Sequence, residues 1–175
     1  QAVSQLGNDS TKSQPVLRQA GSVGDDTLIA PTETGYLFGG AGSDTYVIKH
    51  SFKRITISDF QIGDSEINKL VFEQLGSSDV LFHMVRDDLV ISNKATGGRV
   101  TIAGYFDERT VGYGVDEIIF SDQISLNKKE VQLRLSSATE FADQLIVSDE
   151  GGELNGLGGD DYLWGSVGND ILNGG

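Results

Sequence analysis

The sequence predicts an all-β fold in which two blocks of a parallel β-roll flank, or are capped by, a strand-rich middle region with one short helix. Three observations predict it: a nine-residue unit in two separated blocks, an apolar residue at the eighth place of each unit, and alternating apolar and polar residues between the blocks. The predicted parts are a linker or frayed start at 1–20, the first roll block at 21–48, the middle region at 49–135 and a truncated second block at 136–175.

The nine-residue unit is glycine-rich in its first half and apolar near its end. Its copies begin at Gly21, Ala30, Gly39, Ala138, Val147, Gly156, Gly165 and Gly174. Its eighth residues are Leu28, Leu37, Tyr46, Leu145, Leu154, Leu163 and Leu172. Glycine lets the loop take backbone angles that are closed to other residues, and the stacked eighth residues form a core that one unit alone cannot bury.

Aspartate at the sixth place of the unit predicts bound Ca²⁺, because calcium prefers six to eight hard oxygen ligands. Two units make one turn, so loops on one face stack eighteen residues apart, which pairs Asp26 with Asp44 and Asp143 with Asp161. The ligands predicted for the first pair are Asp26, Asp44 and the carbonyls of Gly21, Val23, Gly40 and Gly42. Those predicted for the second pair are Asp143, Asp161 and the carbonyls of Ala138, Glu140, Leu157 and Gly159.

On the opposite face the sixth place is occupied by Gly35 and Gly152, so Asp170 has no aspartate partner upstream. At least two calcium sites are therefore expected, rather than one for each loop. The competing interpretation is that glycine and aspartate only mark turns. Apolar residues in phase across both blocks and aspartates in eighteen-residue register favour calcium.

Both blocks resemble RTX (repeats-in-toxin) proteins, which are bacterial toxins, adhesins, lipases and metalloproteases exported by type I secretion machinery. The phrases Asp44–Ile48, Ile57–Phe60, Asp88–Ile91 and Glu117–Phe120 resemble the strand-rich module that often interrupts RTX arrays. The resemblance implies a parallel β-roll that is unfolded in the calcium-poor cell interior and folds outside. The chain departs from the family pattern at His50–Ile57, so the resemblance does not extend to a calcium site between Asp44 and Asp59.

The middle region alternates as half-buried strands do. The predicted strands are Arg54–Phe60, Lys69–Glu73, Val80–Val85, Asp88–Asn93, Arg99–Gly104 and Asp116–Ser121. Asp87-Asp88 predicts a tight hairpin and 95–98 a looser one. Asn127 with Glu130 predicts a capping box for a short helix through Arg134.

Composition restricts the function classes. The net charge is −13, with 26 acidic and 13 basic residues, which argues against nucleic acid and against anionic membranes as partners. There is no cysteine, and the sequence contains neither an H-E-x-x-H nor a G-x-S-x-G motif, so no zinc-protease, serine-hydrolase or thiol chemistry is expected. No apolar run reaches the length of a transmembrane helix, and the end at Gly174-Gly175 suggests a piece of a longer array.

For several residues the sequence allows both a functional interpretation and one without a function. Asp59 and Asp64 are interpreted as flanking a surface turn, with a calcium loop as the alternative. His83 is interpreted as a packed or surface residue rather than a ligand. Tyr162 and Trp164 are expected at outward places of the second block, as plain exposed aromatics or as a contact for a following domain.

The sequence thus predicts a non-enzymatic, monomeric calcium-binding module of a secreted or surface-exposed bacterial RTX toxin. Its expected partners are calcium ions, further RTX repeats of the same chain, the type I secretion machinery and a host-cell or surface ligand. One alternative is a ligand-binding or stalk segment of a large RTX adhesin. Another is the export tail of an RTX lipase or protease.

Overall fold

The computed structural model describes residues 16–49, 51–59, 66–107, 114–135, 138, 143–147 and 151–175. Over these residues the chain is a parallel β-solenoid with one short helix, which confirms the predicted fold class. The strands are β1 Leu17–Ala20, β2 Thr27–Ile29, β3 Thr34–Phe38, β4 Thr45–Ile48, β5 Arg54–Ile57, β6 Lys69–Phe72, β7 Val80–Val85, β8 Asp88–Asn93, β9 Arg99–Ile102, β10 Glu117–Ile119, β11 Ser125–Asn127, β12 Gln144–Ile146, β13 Glu153–Asn155, β14 Tyr162–Trp164 and β15 Ile171–Asn173; the helix is α1, Lys128–Leu135.

The first block and the middle region share two sheets. One has the strand order β1-β3-β5-β9-β8-β7 and the other β11-β10-β6-β4-β2. Strands alternate between the two sheets from β1 to β6 and again from β9 to β10, so β1–β2, β3–β4, β5–β6 and β9–β10 are four successive coils. The middle region therefore continues the first block, and antiparallel strands β7, β8 and β11 close the sheets at one end.

The coils lengthen along the chain while their register persists. Thr27 pairs with Thr45, eighteen residues on, as the nine-residue unit requires. Thr45 then pairs with Lys69, and Lys69 with Glu117. The additional residues in the longer coils form loops and the β7–β8 hairpin, so the parallel stack survives insertions that obscure the repeat in the sequence.

Both sheets direct alternate apolar side chains into one core. Leu37, Tyr46 and Leu70 are fully buried there, and the Phe72 and Phe120 rings stack with centroids 5.2 Å apart. This core extends from Leu28 to Leu135 and holds most of the buried hydrophobic residues. Since burial of apolar area is the dominant favourable term in folding, this region has its own source of stability.

Helix α1 begins with the predicted capping box. The Asn127 amide donates to Glu130 Oε2 at 2.8 Å, and the Glu130 amide donates to Asn127 Oδ1 at 3.0 Å. Val131 and Leu135 are buried against the core. Among the described residues, no helix has the length and apolar character needed to cross a membrane.

The second block is a smaller pair of sheets. Strand β12 pairs in parallel with β14, and β13 with β15, each eighteen residues apart. Leu145, Val147 and Leu154 form its core. Towards the end the core opens, because Leu172 is 44% exposed although it occupies the same place in the unit as Leu145, which is 2% exposed.

Two local predictions differ from the structure. Strand β1 lies inside the segment predicted as a linker, where its mostly exposed side chains give no apolar signal. The tight hairpin is displaced by one residue: Val85 pairs with Asp88, so the loop is Arg86-Asp87. Asp88 is held in the strand because its Oδ1 accepts the Gly104 amide at 2.8 Å.

Candidate metal centre

The structure brings the first predicted aspartate pair into contact. Asp26 and Asp44 each precede a strand, β2 and β4, and these strands are neighbours in one sheet. The Asp26 amide donates to Asp44 Oδ1 at 2.8 Å. The eighteen-residue register therefore places the Asp44 carboxylate against the backbone of the preceding loop, which carries Asp26.

The two carboxylates of this pair lie in different environments. Asp44 is fully buried, its Oδ2 has no hydrogen-bond partner, and burial raises its pKa. Asp26 Oδ2 accepts both the amide and the hydroxyl of Ser22, at 2.5 and 2.8 Å, and these bonds lower the pKa of Asp26. Asp44 Oδ2 is thus a buried carboxylate oxygen of this pair that has no hydrogen-bond partner.

Glycines let the two loops stack closely. Gly40 and Gly42 have φ values of +107° and +112°, which L side chains rarely adopt. A Cβ on Gly42 would lie 2.6 Å from the carbonyl carbon of Gly24 in the loop above. Of the other predicted carbonyl donors, Gly21 pairs through its amide with Phe38 O at 2.7 Å, and Val23 is 90% exposed on the loop.

The second predicted pair repeats the contact of the first. The Asp143 amide donates to Asp161 Oδ1 at 3.0 Å, and Asp161 Oδ2 is buried without a hydrogen-bond partner. Leu157 and Gly159 have positive φ values of 68° and 122°. Ala138 packs against the small core of the block. Glu140 lies outside the described residues, as does Asp64.

Asp170 differs from the paired aspartates, as its missing upstream partner suggests. Its Oδ1 accepts the Gly152 amide at 3.1 Å, and its Oδ2 accepts the Ser166 amide at 2.7 Å. Both oxygens are therefore engaged by the backbone. The aspartates at the sixth place of the unit are therefore of two kinds. Asp44 and Asp161 each have a buried oxygen that lacks a hydrogen-bond partner, whereas both oxygens of Asp170 accept backbone amides.

Two residues that the sequence analysis did not identify, Asn68 and Asp116, extend the column of contacts that begins with Asp26 and Asp44. The Asp44 amide donates to Asn68 Oδ1 at 2.7 Å, and the Asn68 amide donates to Asp116 Oδ2 at 2.7 Å. Asn68 and Asp116 immediately precede β6 and β10, just as Asp26 and Asp44 precede β2 and β4. The signal was available in the polar residue before each strand, but the long coils removed the eighteen-residue spacing.

The chemistry of these loops fits a hard cation. A buried carboxylate oxygen without a partner carries an uncompensated desolvation cost, and Asp44 and Asp161 each have one. The described residues contain no group of three or more acidic or histidine side chains placed to hold one metal ion, so further ligands there would come from backbone carbonyls. A cation bound in each block would neutralise the buried carboxylate there. Asp44 would hold it in the first block and Asp161 in the second.

The match to a known protein family lies in a different part of the chain. Residues 88–130, from β8 into α1, match the haemolysin-type calcium binding protein related domain. The matched segment lies in the middle region, which by its sequence resembles the module that interrupts RTX arrays. The match supports a relationship to an RTX-like, calcium-binding family.

One curated relative is the iron-regulated protein FrpA of Neisseria meningitidis serogroup C. The chain is 36% identical to it over 118 residues, which is 66% of this chain and 11% of the relative. The chain therefore aligns with about a ninth of the length of that protein.

Proposed function

We propose that this chain is a non-catalytic calcium-binding module of a secreted bacterial RTX toxin, and that it folds on calcium binding after type I export. Its metal ligands are those predicted from the repeat: the pairs Asp26–Asp44 and Asp143–Asp161 with carbonyls of their loops. The proposed organisation is the predicted one, with roll blocks at 21–48 and 136–175 around the region 49–135.

One observation carries the proposal. Asp44 and Asp161 occupy the same place of the unit in separate blocks, and each has a buried Oδ2 without a hydrogen-bond partner. Burying an unpaired carboxylate oxygen is costly, and it recurs where the repeat pattern predicts a cation. The family match at 88–130 supports calcium as that cation.

The mechanism is coupled binding and folding. The unfolded chain has no preformed site, so the free energy of ion binding becomes free energy of folding. The net charge of −13 adds to this dependence, because self-repulsion opposes the compact state until cations reduce it. Extracellular calcium modules bind with dissociation constants of roughly 10⁻⁴ to 10⁻³ M, which leaves them empty in the cytosol and loaded outside.

Titration with calcium, followed by far-ultraviolet circular dichroism, tests the proposal, with magnesium as the control ion. We expect a cooperative gain of β signal with calcium alone, because magnesium demands a tighter octahedral geometry and gives up its water reluctantly. Identical spectra in chelator and in millimolar calcium would contradict the proposal.

The second block offers a matched pair of variants at the same place of the unit. Asp161→Asn removes the charge of the aspartate with the partnerless oxygen, whereas Asp170→Asn alters one whose oxygens accept backbone amides. We expect Asp161→Asn to raise the calcium midpoint at least tenfold, which corresponds to about 1.4 kcal/mol. Asp170→Asn is expected to shift it much less, and equal shifts would refute the assignment of the ligands.

A further inference from the structure

The outer face of the six-stranded sheet carries a cluster of arginines. Strands β1, β3, β5 and β9 lie side by side in this sheet. Because side chains alternate along a strand, the residues next to the buried core positions point outward, and Arg18, Arg54 and Arg99 are all exposed. Arg54 and Arg99 are paired in register on neighbouring strands, which sets their Cα atoms about 4.8 Å apart. Three of the 13 basic residues thus share one face of a chain whose net charge is −13.

The two adjacent arginines have no carboxylate partner in the part of the chain that the structure describes. The ion pairs found there join lysines to glutamates, and none includes Arg54 or Arg99. Two acidic side chains at the margins of the face are engaged elsewhere: Glu33 pairs with Lys53 at 2.5 Å, and Asp88 accepts a backbone amide at 2.8 Å. Like charges at opposite places on neighbouring strands destabilise a sheet. A bound anion would remove this repulsion.

Aromatic side chains lie beside these arginines on the same face. Tyr36 pairs in register with Arg18, and Phe38 follows two residues later on β3. The guanidinium carbon of Arg18 lies 5.4 Å from the centroid of the Tyr36 ring, and the Tyr36 and Phe38 rings are nearly parallel, with centroids 6.5 Å apart. Phe38 is 37% exposed. The face therefore combines unpaired positive charge with accessible aromatic surface.

This combination fits an acidic saccharide. Arginine binds a carboxylate through two parallel hydrogen bonds, and the apolar C–H faces of a sugar pack against the electron-rich faces of aromatic rings. Thr56 and Thr101 lie in register with Tyr36 and add hydroxyls that bond sugar hydroxyls. A dense polyanion is disfavoured because the net charge of −13 repels it. An extended peptide would gain no backbone pairing, since β3, β5 and β9 each have strands on both sides.

We propose that Arg18, Arg54, Arg99, Tyr36 and Phe38 form a binding site for a saccharide that carries a carboxylate, such as a uronic or sialic acid unit. The adjacent pair of arginines holds the carboxylate, and the aromatic rings stack on the sugar. The inference goes beyond calcium binding. The site lies on β1, β3, β5 and β9, whereas the predicted calcium aspartates precede strands of other sheets, so either proposal can fail without the other.

Titration of the whole chain in calcium with two matched pairs of saccharides, followed by nuclear magnetic resonance of the backbone amides, tests the site. The pairs are cellobiouronate with cellobiose, and sialyllactose with lactose, so each acid has a neutral counterpart. We expect at least one acid to shift amides of β3, β5 and β9, and its neutral counterpart to bind about tenfold more weakly, because the charge-assisted hydrogen bonds are lost. No shift with either acid, or equal binding of acid and neutral sugar, would overturn the proposal.

Paired substitutions separate the site from the overall charge. Arg54→Gln with Arg99→Gln leaves the core intact, because both side chains are exposed, and should weaken the acid by about tenfold or more. Arg86→Gln with Lys129→Gln removes the same charge from exposed places outside these strands and should leave the affinity unchanged. Arg54→Lys with Arg99→Lys keeps the charge but loses the planar donor geometry, so it should also weaken binding. Equal losses in both glutamine pairs, or full affinity in the lysine pair, would contradict a built site.

The aromatic half of the site and the class of ligand have their own readouts. Phe38→Ala should weaken the acidic saccharide by a factor of roughly 2 to 10, because a stacking contact is lost. An oligoglutamate peptide and a single-stranded oligodeoxynucleotide supply negative charge without a sugar carboxylate, and both should bind more weakly than the acidic saccharide. Unchanged affinity in Phe38→Ala, or tighter binding of either polyanion, would overturn the saccharide as the occupant of this face.

Discussion

The two repeat blocks are built from the same nine-residue unit, but one is enclosed and the other is open. In the first block the eighth residues Leu28, Leu37 and Tyr46 are at most 5% exposed, because further coils of the middle region extend both sheets. In the second block exposure rises to 44% at Leu172. The unit determines the coil, whereas the neighbours of the coil determine how much apolar surface it buries.

The outward aromatic side chains of the second block lie on its surface. Tyr162 and Trp164 stack with ring centroids 6.1 Å apart and are 64% and 44% exposed, in agreement with their predicted outward places. The second block therefore gains less from apolar burial than the first, and we expect it to depend more on calcium. Substitutions at matched places in the two blocks test this difference.

Truncation of an eighth residue should cost far more in the first block than at the end of the second. Leu37→Ala should lower the free energy of unfolding by about 2–5 kcal/mol, because Leu37 is fully buried and its removal leaves a cavity. Leu172→Ala should change it by less than about 0.5 kcal/mol, as is usual for exposed positions. Urea unfolding in calcium measures both, and similar losses would contradict the contrast between an enclosed and an open block.

Two glycines at the fourth place of the unit should respond in opposite ways. Gly42→Ala places a Cβ 2.6 Å from backbone of the preceding loop at a φ of +112°, so a loss of about 1–3 kcal/mol is expected. Gly24→Ala meets nothing within 4 Å and should be neutral or slightly stabilising. Thermal unfolding of the two variants side by side checks the prediction, and equal losses would mean that the stacked loops are not close-packed.

The helix cap should matter moderately. Asn127→Ala removes the side-chain half of the capping box and should cost about 1 kcal/mol. Helix α1 contacts β7 of the first core and β12 of the second block, so the loss should be felt in both. Chemical denaturation followed by Trp164 fluorescence and by circular dichroism separates the two regions, with Lys129→Ala as an exposed control in the same helix. No change in either signal would show that the cap is dispensable.

Acid titration should give the smallest effects, with opposite signs at two carboxylates. The Ser77 amide and hydroxyl hold the pKa of Asp122 below its ordinary 3.8, so this carboxylate contributes stability above that pH and loses it as the pH falls through the folded value. Burial raises the pKa of Asp44 above its ordinary 3.8. In chelator, the contribution of this carboxyl group to stability is therefore full below pH 3.8 and is lost as the pH rises through its pKa in the folded state.

Stability curves against pH for Asp122→Asn and Asp44→Asn in chelator measure these signs. Asp122→Asn should flatten the loss of stability on acidification, and Asp44→Asn should flatten the loss as the pH rises above 3.8. A shift of the same sign in both variants would contradict the assigned environments.

The regular parts of the molecule could be predicted from sequence because they repeat. The strands β2, β4 and β12 to β15, the inward eighth residues and the capping box all follow from local patterns. The aspartate contacts Asp26–Asp44 and Asp143–Asp161 follow from the eighteen-residue spacing alone.

The remaining features depend on contacts between distant parts of the chain. Asn68 and Asp116 join the aspartate column only because long coils return to register, 24 and then 48 residues on. Asp59 accepts the Gly40 amide at 3.3 Å because strands β3 and β5 are adjacent. Neither spacing repeats in the sequence, so sequence periodicity could not indicate these contacts.

Amide hydrogen exchange measured across a calcium titration reports separately on the calcium-dependent folding of each block. We expect calcium, unlike magnesium, to slow exchange in the strands of both blocks. Strands β12–β15 should require more calcium than β2 and β4, because their core is more open. Equal exchange rates in chelator and in saturating calcium, in both blocks, would contradict it.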